Sequence, residues 1–222
     1  MIISDSERFV FVHNPKVGGM TMRSELIKYD TRENFFFEWK EEGKNKRLLD
    51  MAHLSLVQFR KLYPDVFSNV SGYFKFAFVR NPYTRFFSAV SQHLKLCTPY
   101  VRNTIIEDDE IFYDFSSRLT QRVLDEEKIN ADHKLVHFRR QIAFTHLDGK
   151  MWVDKVFNIE KPDLETDLRV KTWLNGALKE TKNATLARQT TGYDPTRLSQ
   201  EALEAINTFY KNDFTCFGYE KL

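Results

Sequence analysis

Hydrophobic residues along this chain fall into short runs of strand type, separated by segments with helical spacing. Three runs stand out, at residues 8–14 (RFVFVHN), 73–80 (YFKFAFVR) and 152–161 (WVDKVFNIEK), and a proline closely follows each of them. Runs rich in aromatic and β-branched residues that end at proline favour buried strands. The pattern therefore predicts three strands.

Helices are predicted between and after these strands. Met22, Leu26 and Tyr29 recur at helical spacing behind a pair of glycines. A longer apolar stripe follows residue 81, while Arg85, Ser88 and Gln92 fall on another face; the stripe is Tyr83, Phe86, Phe87, Val90 and Leu94. Ser55 and Gln58 have the spacing of a capping box, in a helix that Pro64 ends. Further helices are expected at 164–178 and from Ser199 to about Tyr210.

Strands that alternate with helices predict an α/β fold. We expect a single P-loop-like domain over residues 1–222, with a mostly parallel central sheet flanked by helices and a ligand crevice at the carboxyl ends of the strands. Residues from 97 to about 136 are charged and without clear period, and predict an irregular insertion of loop and helix pieces. The polar segment 183–195 is expected to be a surface loop.

Composition narrows the possible functions. A hydrophobic content of 42% excludes an intrinsically disordered chain, and a net charge of +2 argues against nucleic acid as a partner. Cys97 and Cys216 match no metal spacing and no disulfide framework. The first residues lack the basic and apolar segments of a leader, and no membrane-length apolar stretch occurs. We therefore expect a cytoplasmic protein without a membrane span; the sequence leaves the oligomeric state open.

The segment PKVGGMT, between the first strand and the first helix, is the main candidate for chemistry. Gly18 and Gly19 would let backbone N–H groups approach an anion at a helix N-terminus, which favours phosphate or sulfate. Lys16 precedes the glycines, so the order differs from that of the nucleotide triphosphatase P-loop. A plain turn is the alternative interpretation of this segment taken alone.

Arg80 and Ser88 form a second candidate. They are eight residues apart, at the end of the second strand and two turns into its helix, so a guanidinium and a hydroxyl can meet one anion. In the alternative, Arg80 pairs with a carboxylate and Ser88 faces solvent.

Together, PKVGGMT and FAFVRNPYTRFFSAV resemble the two signatures of sulfotransferases that use 3′-phosphoadenosine 5′-phosphosulfate (PAPS), and most of all those of the carbohydrate sulfotransferase branch, or family 2. The resemblance implies a loop at 11–26 that binds the 5′-phosphosulfate and a 3′-phosphate motif at 74–94. It also implies transfer of a sulfo group to a hydroxyl, with a carbohydrate as the expected acceptor, PAP (adenosine 3′,5′-bisphosphate) as product and no metal. The insertion at about 97–136 would then lie on the acceptor side. The partner would be a glycan or another hydroxyl-bearing small molecule.

Transferred position by position, the resemblance assigns the 5′-phosphosulfate to the loop and the 3′-phosphate to Arg80 and Ser88. The loop residues are Lys16, Gly18, Gly19, Met20 and Thr21. Met20 departs from the family pattern, which usually has threonine there, so one hydroxyl donor is lost while the backbone N–H remains. Lys16 would stabilise the negative charge on the leaving oxygen, by analogy with phosphoryl transfer.

His53 is the candidate for the base that takes the acceptor proton. It lies just before the helix capped by Ser55, where a positive charge is disfavoured, and it matches the histidine that acts as base in several glycan sulfotransferases. Local packing of His53 is the alternative, and Glu160 is a possible substitute base. His13 is interpreted as a packing residue at the strand end.

Two other functions remain open from sequence alone. A P-loop small-molecule kinase would share the strand, loop and helix, but it needs a lysine after the glycines and an acidic magnesium ligand, and neither is evident. A nucleotide-binding module without catalysis is the third possibility.

Overall fold

The computed structural model describes residues 1–43, 47–174 and 192–222. Its strands are β1 Ile2–Ser4, β2 Phe9–Val12, β3 Trp39–Glu42, β4 Arg47–Asp50, β5 Phe74–Val79, β6 His146–Leu147, β7 Lys150–Met151 and β8 Lys155–Asn158. Its α-helices are α1 Gly19–Leu26, α2 Leu56–Leu62, α3 Pro64–Asn69, α4 Pro82–His93, α5 Pro99–Glu107, α6 Asp109–Val123, α7 Glu126–Ala131, α8 Ile142–Thr145, α9 Leu168–Leu174, α10 Gln200–Phe209 and α11 Lys211–Phe217. A short 3-10 helix, Met51–His53, follows β4.

The described residues form two compact units, each built from two segments of the chain. Residues 1–79 and 141–174 belong to the first, and residues 80–140 and 192–222 belong to the second. The single domain expected from the sequence stays a prediction. In the described part of the chain no helix has the length and apolar character needed to cross a membrane.

A four-stranded sheet in the order β1-β2-β5-β8 lies at the centre of the first unit. β2 pairs with β5 and β5 pairs with β8 in parallel, while β1 runs antiparallel to β2. The three predicted strands are thus confirmed as β2, β5 and β8, each shorter than its hydrophobic run, and the mostly parallel sheet is confirmed with them. Because these strands are parallel, their carboxyl ends lie at one edge of the sheet.

Both faces of this sheet are covered by helices. Side chains alternate along β2, so that Phe9 and Phe11 pack with α1 and α9, while Val10 and Val12 pack with α2 on the opposite face. On β5, Phe76 and Phe78 pack in the same core cluster as Phe9 and Phe11. Because β2 is buried on both faces, its sequence is a continuous apolar run and does not alternate with polar residues.

Helix α4 forms the centre of the second unit. Its predicted apolar stripe is buried as expected, in one core cluster with α6, α10 and α11. Arg85 and Ser88 are buried as well, although they lie off the stripe. One terminal nitrogen of Arg85 donates to the carbonyl of His137 at 3.1 Å, and the other lies 3.8 Å from an oxygen of Asp213. The buried guanidinium thus links three segments of this unit.

Segment 97–136, which the sequence predicts as an irregular insertion of loop and helix pieces, is mainly helical, because α5, α6 and α7 occupy most of it. Thr98, Asp108 and Asp125 cap these helices through their side chains. The buried positions of α6 do have helical spacing among its charged residues; they are Phe112, Tyr113, Ser116, Leu119, Thr120 and Val123. Ser116 and Thr120, the hydroxyl residues on this buried face, interrupt the apolar period in the sequence.

The remaining predicted helices are present where the structure describes them, although the one predicted from residue 164 begins as a 3-10 helix, Leu164–Thr166, and becomes α-helical only at α9, Leu168–Leu174. Ser55 and Gln58 form the capping box of α2, and Ser199 caps α10. Pro64 follows the end of α2 and also begins α3. Residues 175–178 of the helix predicted at 164–178, and most of the predicted surface loop at 183–195, lie outside the described residues.

Candidate functional site

The loop between β2 and α1 has an unusual backbone. Lys16 has a φ of +66° and Gly18 a φ of +76°, so two alternate positions are left-handed. Glycine adopts this conformation freely, whereas a residue with a Cβ is strained by roughly 1–2 kcal/mol. Left-handed positions within a turn orient successive N–H groups towards one side and form concave anion sites. Lys16 and Gly18 therefore give this loop two left-handed positions of the kind found in such anion sites.

Helix α1 begins in this loop without a side-chain cap. Gly18 is its N-cap residue, no side chain among the described residues caps it, and its first turn contains no acidic residue. The carbonyl of Gly18 accepts from the N–H groups of Thr21 and Met22 at 3.1 and 3.4 Å. The helices α2, α5, α6 and α10 have serine, threonine or aspartate caps. The helices α3, α8 and α11 begin without a side-chain cap, as α1 does, but none of these three has a left-handed N-cap residue. An anion is the natural partner for an N-terminus of this kind.

Gly19 has a steric role that the sequence did not reveal. A Cβ at this position would lie 1.9 Å from Nε2 and 2.2 Å from Cδ2 of His13. The imidazole of His13 therefore occupies the space of a side chain at residue 19. The two adjacent glycines have different roles: Gly18 allows the left-handed turn, and Gly19 leaves space for the ring of His13.

His53 lies at the end of the 3-10 helix that follows β4, directly beside the loop. Its Nδ1 is 3.1 Å from the carbonyl oxygen of His13, and the two imidazole centroids are 4.6 Å apart. A carbonyl only accepts hydrogen bonds, so Nδ1 of neutral His53 carries the proton and Nε2 is the basic nitrogen. This is the tautomer that a general base acting through Nε2 requires.

The surroundings of His53 lower its pKa below the ordinary value. Burial is the largest cause, the ammonium group of Lys16 acts in the same direction, and the carboxylate of Asp50 opposes them. The direction agrees with the prediction, although the sequence attributed it to the α2 N-terminus and not to burial. These surroundings therefore favour the neutral imidazole of His53 over the charged form, and Lys16 is within electrostatic range of it.

The residues predicted for this site differ in their exposure to solvent. Lys16, Thr21 and His53 are half-buried, whereas the side chain of Met20 is 63% exposed. The substitution of methionine for the usual threonine thus affects a surface position of α1. Glu160, the substitute base, is exposed just after β8.

Asn14 is a residue of this loop that sequence reasoning missed. Its buried amide group donates to the carbonyl of Phe78 at 3.0 Å and to Oε1 of Gln141 at 3.1 Å. It thereby ties the start of the loop to the carboxyl end of β5. No periodicity or motif marks this residue, because its partners are 64 and 127 positions away.

Replacing Asn14 with alanine should cost about 1–3 kcal/mol of the free energy of unfolding, since two buried acceptors lose their donor. Urea unfolding of the variant measures this. Asn69→Ala is the matched control, because Asn69 is exposed at the end of α3 and should change stability by less than about 0.5 kcal/mol. Equal stability of the two variants would contradict an anchoring role for Asn14.

Arg80 and Ser88 belong to the second unit. Nε of Arg80 donates to Oγ1 of Thr84 at 3.1 Å, and this side chain is half-buried. Ser88 is 3% exposed, so the alternative in which it faces solvent does not apply. The hydrogen bond to Thr84 holds the guanidinium of Arg80 along α4, the helix that also carries Ser88.

The described residues contain no group of three or more histidine, cysteine or acidic side chains arranged to hold a metal ion. Comparison with protein families gives one match: the model described as "Sulfotransferase family" matches residues 1–220. Comparisons with curated proteins and with solved structures give no match.

Proposed function

The chain belongs to the sulfotransferase family, and we propose that it transfers a sulfo group from PAPS to a hydroxyl group of a carbohydrate. Family membership makes the protein a transferase. The choice of PAPS as donor, the carbohydrate acceptor and the roles of individual residues are the parts that we propose.

The loop between β2 and α1 is the observation that carries this proposal. Its left-handed residues Lys16 and Gly18 and the uncapped start of α1 fit a doubly charged group such as the 5′-phosphosulfate of PAPS. Arg80 and Ser88 are proposed to bind the 3′-phosphate, since a guanidinium recognises phosphate with charge-assisted hydrogen bonds.

The donor would supply the sulfo group, whose bond to a phosphate oxygen breaks as sulfur bonds to the acceptor oxygen. Nε2 of His53 would accept the proton of the attacking hydroxyl, because Nδ1 already carries one. The ammonium group of Lys16 would stabilise the negative charge that develops on the phosphate oxygen as its bond to sulfur breaks.

A carbohydrate acceptor is supported by an exposed aromatic side chain of the first unit. Trp39 is 54% exposed on the hairpin of β3 and β4, and its backbone pairs with Asp50, three residues before His53 in the sequence. An exposed indole face is apolar and electron-rich, so the C–H groups of a sugar ring can pack on it. An exposed indole of this kind favours a sugar over a small alcohol.

Transfer of label from ³⁵S-PAPS to a panel of glycans and small alcohols tests the proposal directly. We expect labelled glycan and no labelled alcohol. A parallel thermal shift experiment compares PAP with ATP and magnesium, and stabilisation by PAP alone is expected. Stabilisation by ATP and magnesium without an effect of PAP would favour the kinase.

Arg80→Ala should weaken PAP binding by about 1.5–3 kcal/mol, because it removes a hydrogen bond between charged groups. Isothermal titration calorimetry measures this change. Arg118→Ala is the control, since Arg118 is an exposed arginine on α6 that pairs with Asp114 four residues earlier. Equal PAP affinity in both variants would remove Arg80 from the proposed site.

A further inference from the structure

His13 lies between the glycine loop and the segment that carries His53. We propose that its imidazole is a positioning residue, which holds the start of α1 and the ring of His53 at a fixed separation. The inference rests on the proposed function, because it takes the loop as the donor site and His53 as the base.

On the loop side, the ring of His13 acts as a rigid support for Gly19. It lies so close to this residue that a Cβ there would be 1.9 Å from Nε2. Behind His13, the ring of Phe11 stacks at a centroid distance of 5.8 Å and an interplanar angle of 25°. Phe11 is buried, so the packing of its ring against the imidazole limits the movement of His13.

On the opposite side, His13 contacts His53 in two ways. Its carbonyl accepts from Nδ1 of His53 at 3.1 Å, and its ring packs against that of His53 at 57°. The backbone contact selects the tautomer of His53, and the ring contact limits how far His53 can rotate or be hydrated. Replacing the side chain of His13 removes the ring contact and leaves the carbonyl in place.

Loss of the imidazole has a consequence for His53 that can be measured without turnover. Burial is the largest cause of the lowered pKa of His53, and the ring of His13 contributes to that burial. The other groups that act on the pKa of His53 stay in place; they are Asp50, the carbonyl of His13, the amino group of Met1 and Lys16. In His13→Ala, water reaches His53 and its pKa should rise towards the ordinary value.

The experiment compares His13→Ala, Gly19→Ala and the double variant. Gly19→Ala should weaken PAP binding by about 10–100-fold, since the new Cβ meets the ring and displaces the loop. The double variant should bind PAP within about twofold of His13→Ala, because the clash is gone. Gly72→Ala is the matched control, as its Cβ would meet only a side-chain nitrogen of Arg8 at 3.9 Å.

His13→Ala itself should lower kcat by about 10–100-fold, the usual effect of a residue that orients a functional group. The KM for PAPS should rise as well, because the loop loses its support at Gly19, and the acidic limb of the kcat profile should move to higher pH. NMR titration of the His53 ring in the ligand-free protein should show the same upward movement of its pKa. A residue that only stabilises the fold would not change this titration.

Two results would overturn the proposal. One is that Gly19→Ala weakens PAP binding equally with and without His13; the other is an unchanged pKa of His53 in His13→Ala. A failure of the proposed function is distinguishable, because the parent protein would then neither bind PAP nor transfer label. In that case, thermal unfolding of the four proteins still tests the contact: additive effects of the two substitutions would overturn it, and a stability recovered in the double variant supports it.

Discussion

Replacing His53 with asparagine is expected to lower kcat by about 10²–10⁴, the usual contribution of a general base, while PAP binds with unchanged affinity. The amide nitrogen of asparagine can take the place of Nδ1 and donate to the carbonyl of His13, 3.1 Å away in the parent. The replacement therefore keeps the hydrogen bond and removes only the basic Nε2. Steady-state kinetics and calorimetry with PAP measure the two effects separately.

The pH profile gives an independent check of this base. His53 must be unprotonated to act, so the rate should fall as pH drops through its pKa, and that pKa lies below its ordinary value of about 6.5. The parent should thus stay active at neutral pH and lose activity only in more acidic solution. In His53→Asn this acidic limb should vanish.

His133→Ala serves as the control, because His133 is a half-buried histidine of the second unit beside Asp132. Its kcat and pH profile should match those of the parent. If His53→Asn keeps both the parent rate and the acidic limb, the base is another group, and Glu160→Gln would be the next variant to examine.

The fold could be predicted from sequence because its signals are local. The hydrophobic runs of β2, β5 and β8 each end near a proline, and the Ser55 box and the Ser199 cap mark helix starts within four residues. In segment 97–136 this local signal is weaker, so the sequence predicts loop and helix pieces there without placing α5, α6 and α7. On α6, buried Ser116 and Thr120 interrupt the apolar period, since a hydroxyl can be buried when it bonds to a helix carbonyl, as Ser116 does to Phe112 at 2.7 Å.

The candidate site could be located from sequence but not explained. The sequence marks Lys16 and Gly18 through the loop motif, and it marks His53 through its position before a helix. The reason for Gly19 depends on a ring six residues earlier, and the anchoring of Asn14 depends on Gln141, 127 residues later. Such contacts follow from the way the chain folds back on itself, and spacing along the sequence carries no signal for them.

Replacing Lys16 with methionine should damage donor binding and chemistry together. Methionine keeps the apolar stem and a Cβ, so the left-handed backbone at φ +66° is equally strained in both proteins and only the charge is lost. Binding of PAP should weaken by about 1.5–3 kcal/mol, as for a lost hydrogen bond to a charged group. The value of kcat should fall by about 10²–10³, as for a lost group that stabilises transition-state charge. Calorimetry and single-turnover kinetics separate the two losses.

Lys28→Met is the matched control for this variant. Lys28 is exposed just after α1 and lies 5.2 Å from the ring of Tyr29, so its replacement removes the same charge from the same unit without reaching the loop. Lys16→Met should also raise the pKa of His53, because the ammonium group of Lys16 is one of the causes that lower it, and the acidic limb should then begin at higher pH. A loss of PAP binding with kcat unchanged would mean that Lys16 holds the donor only in the ground state and does not act on the leaving oxygen.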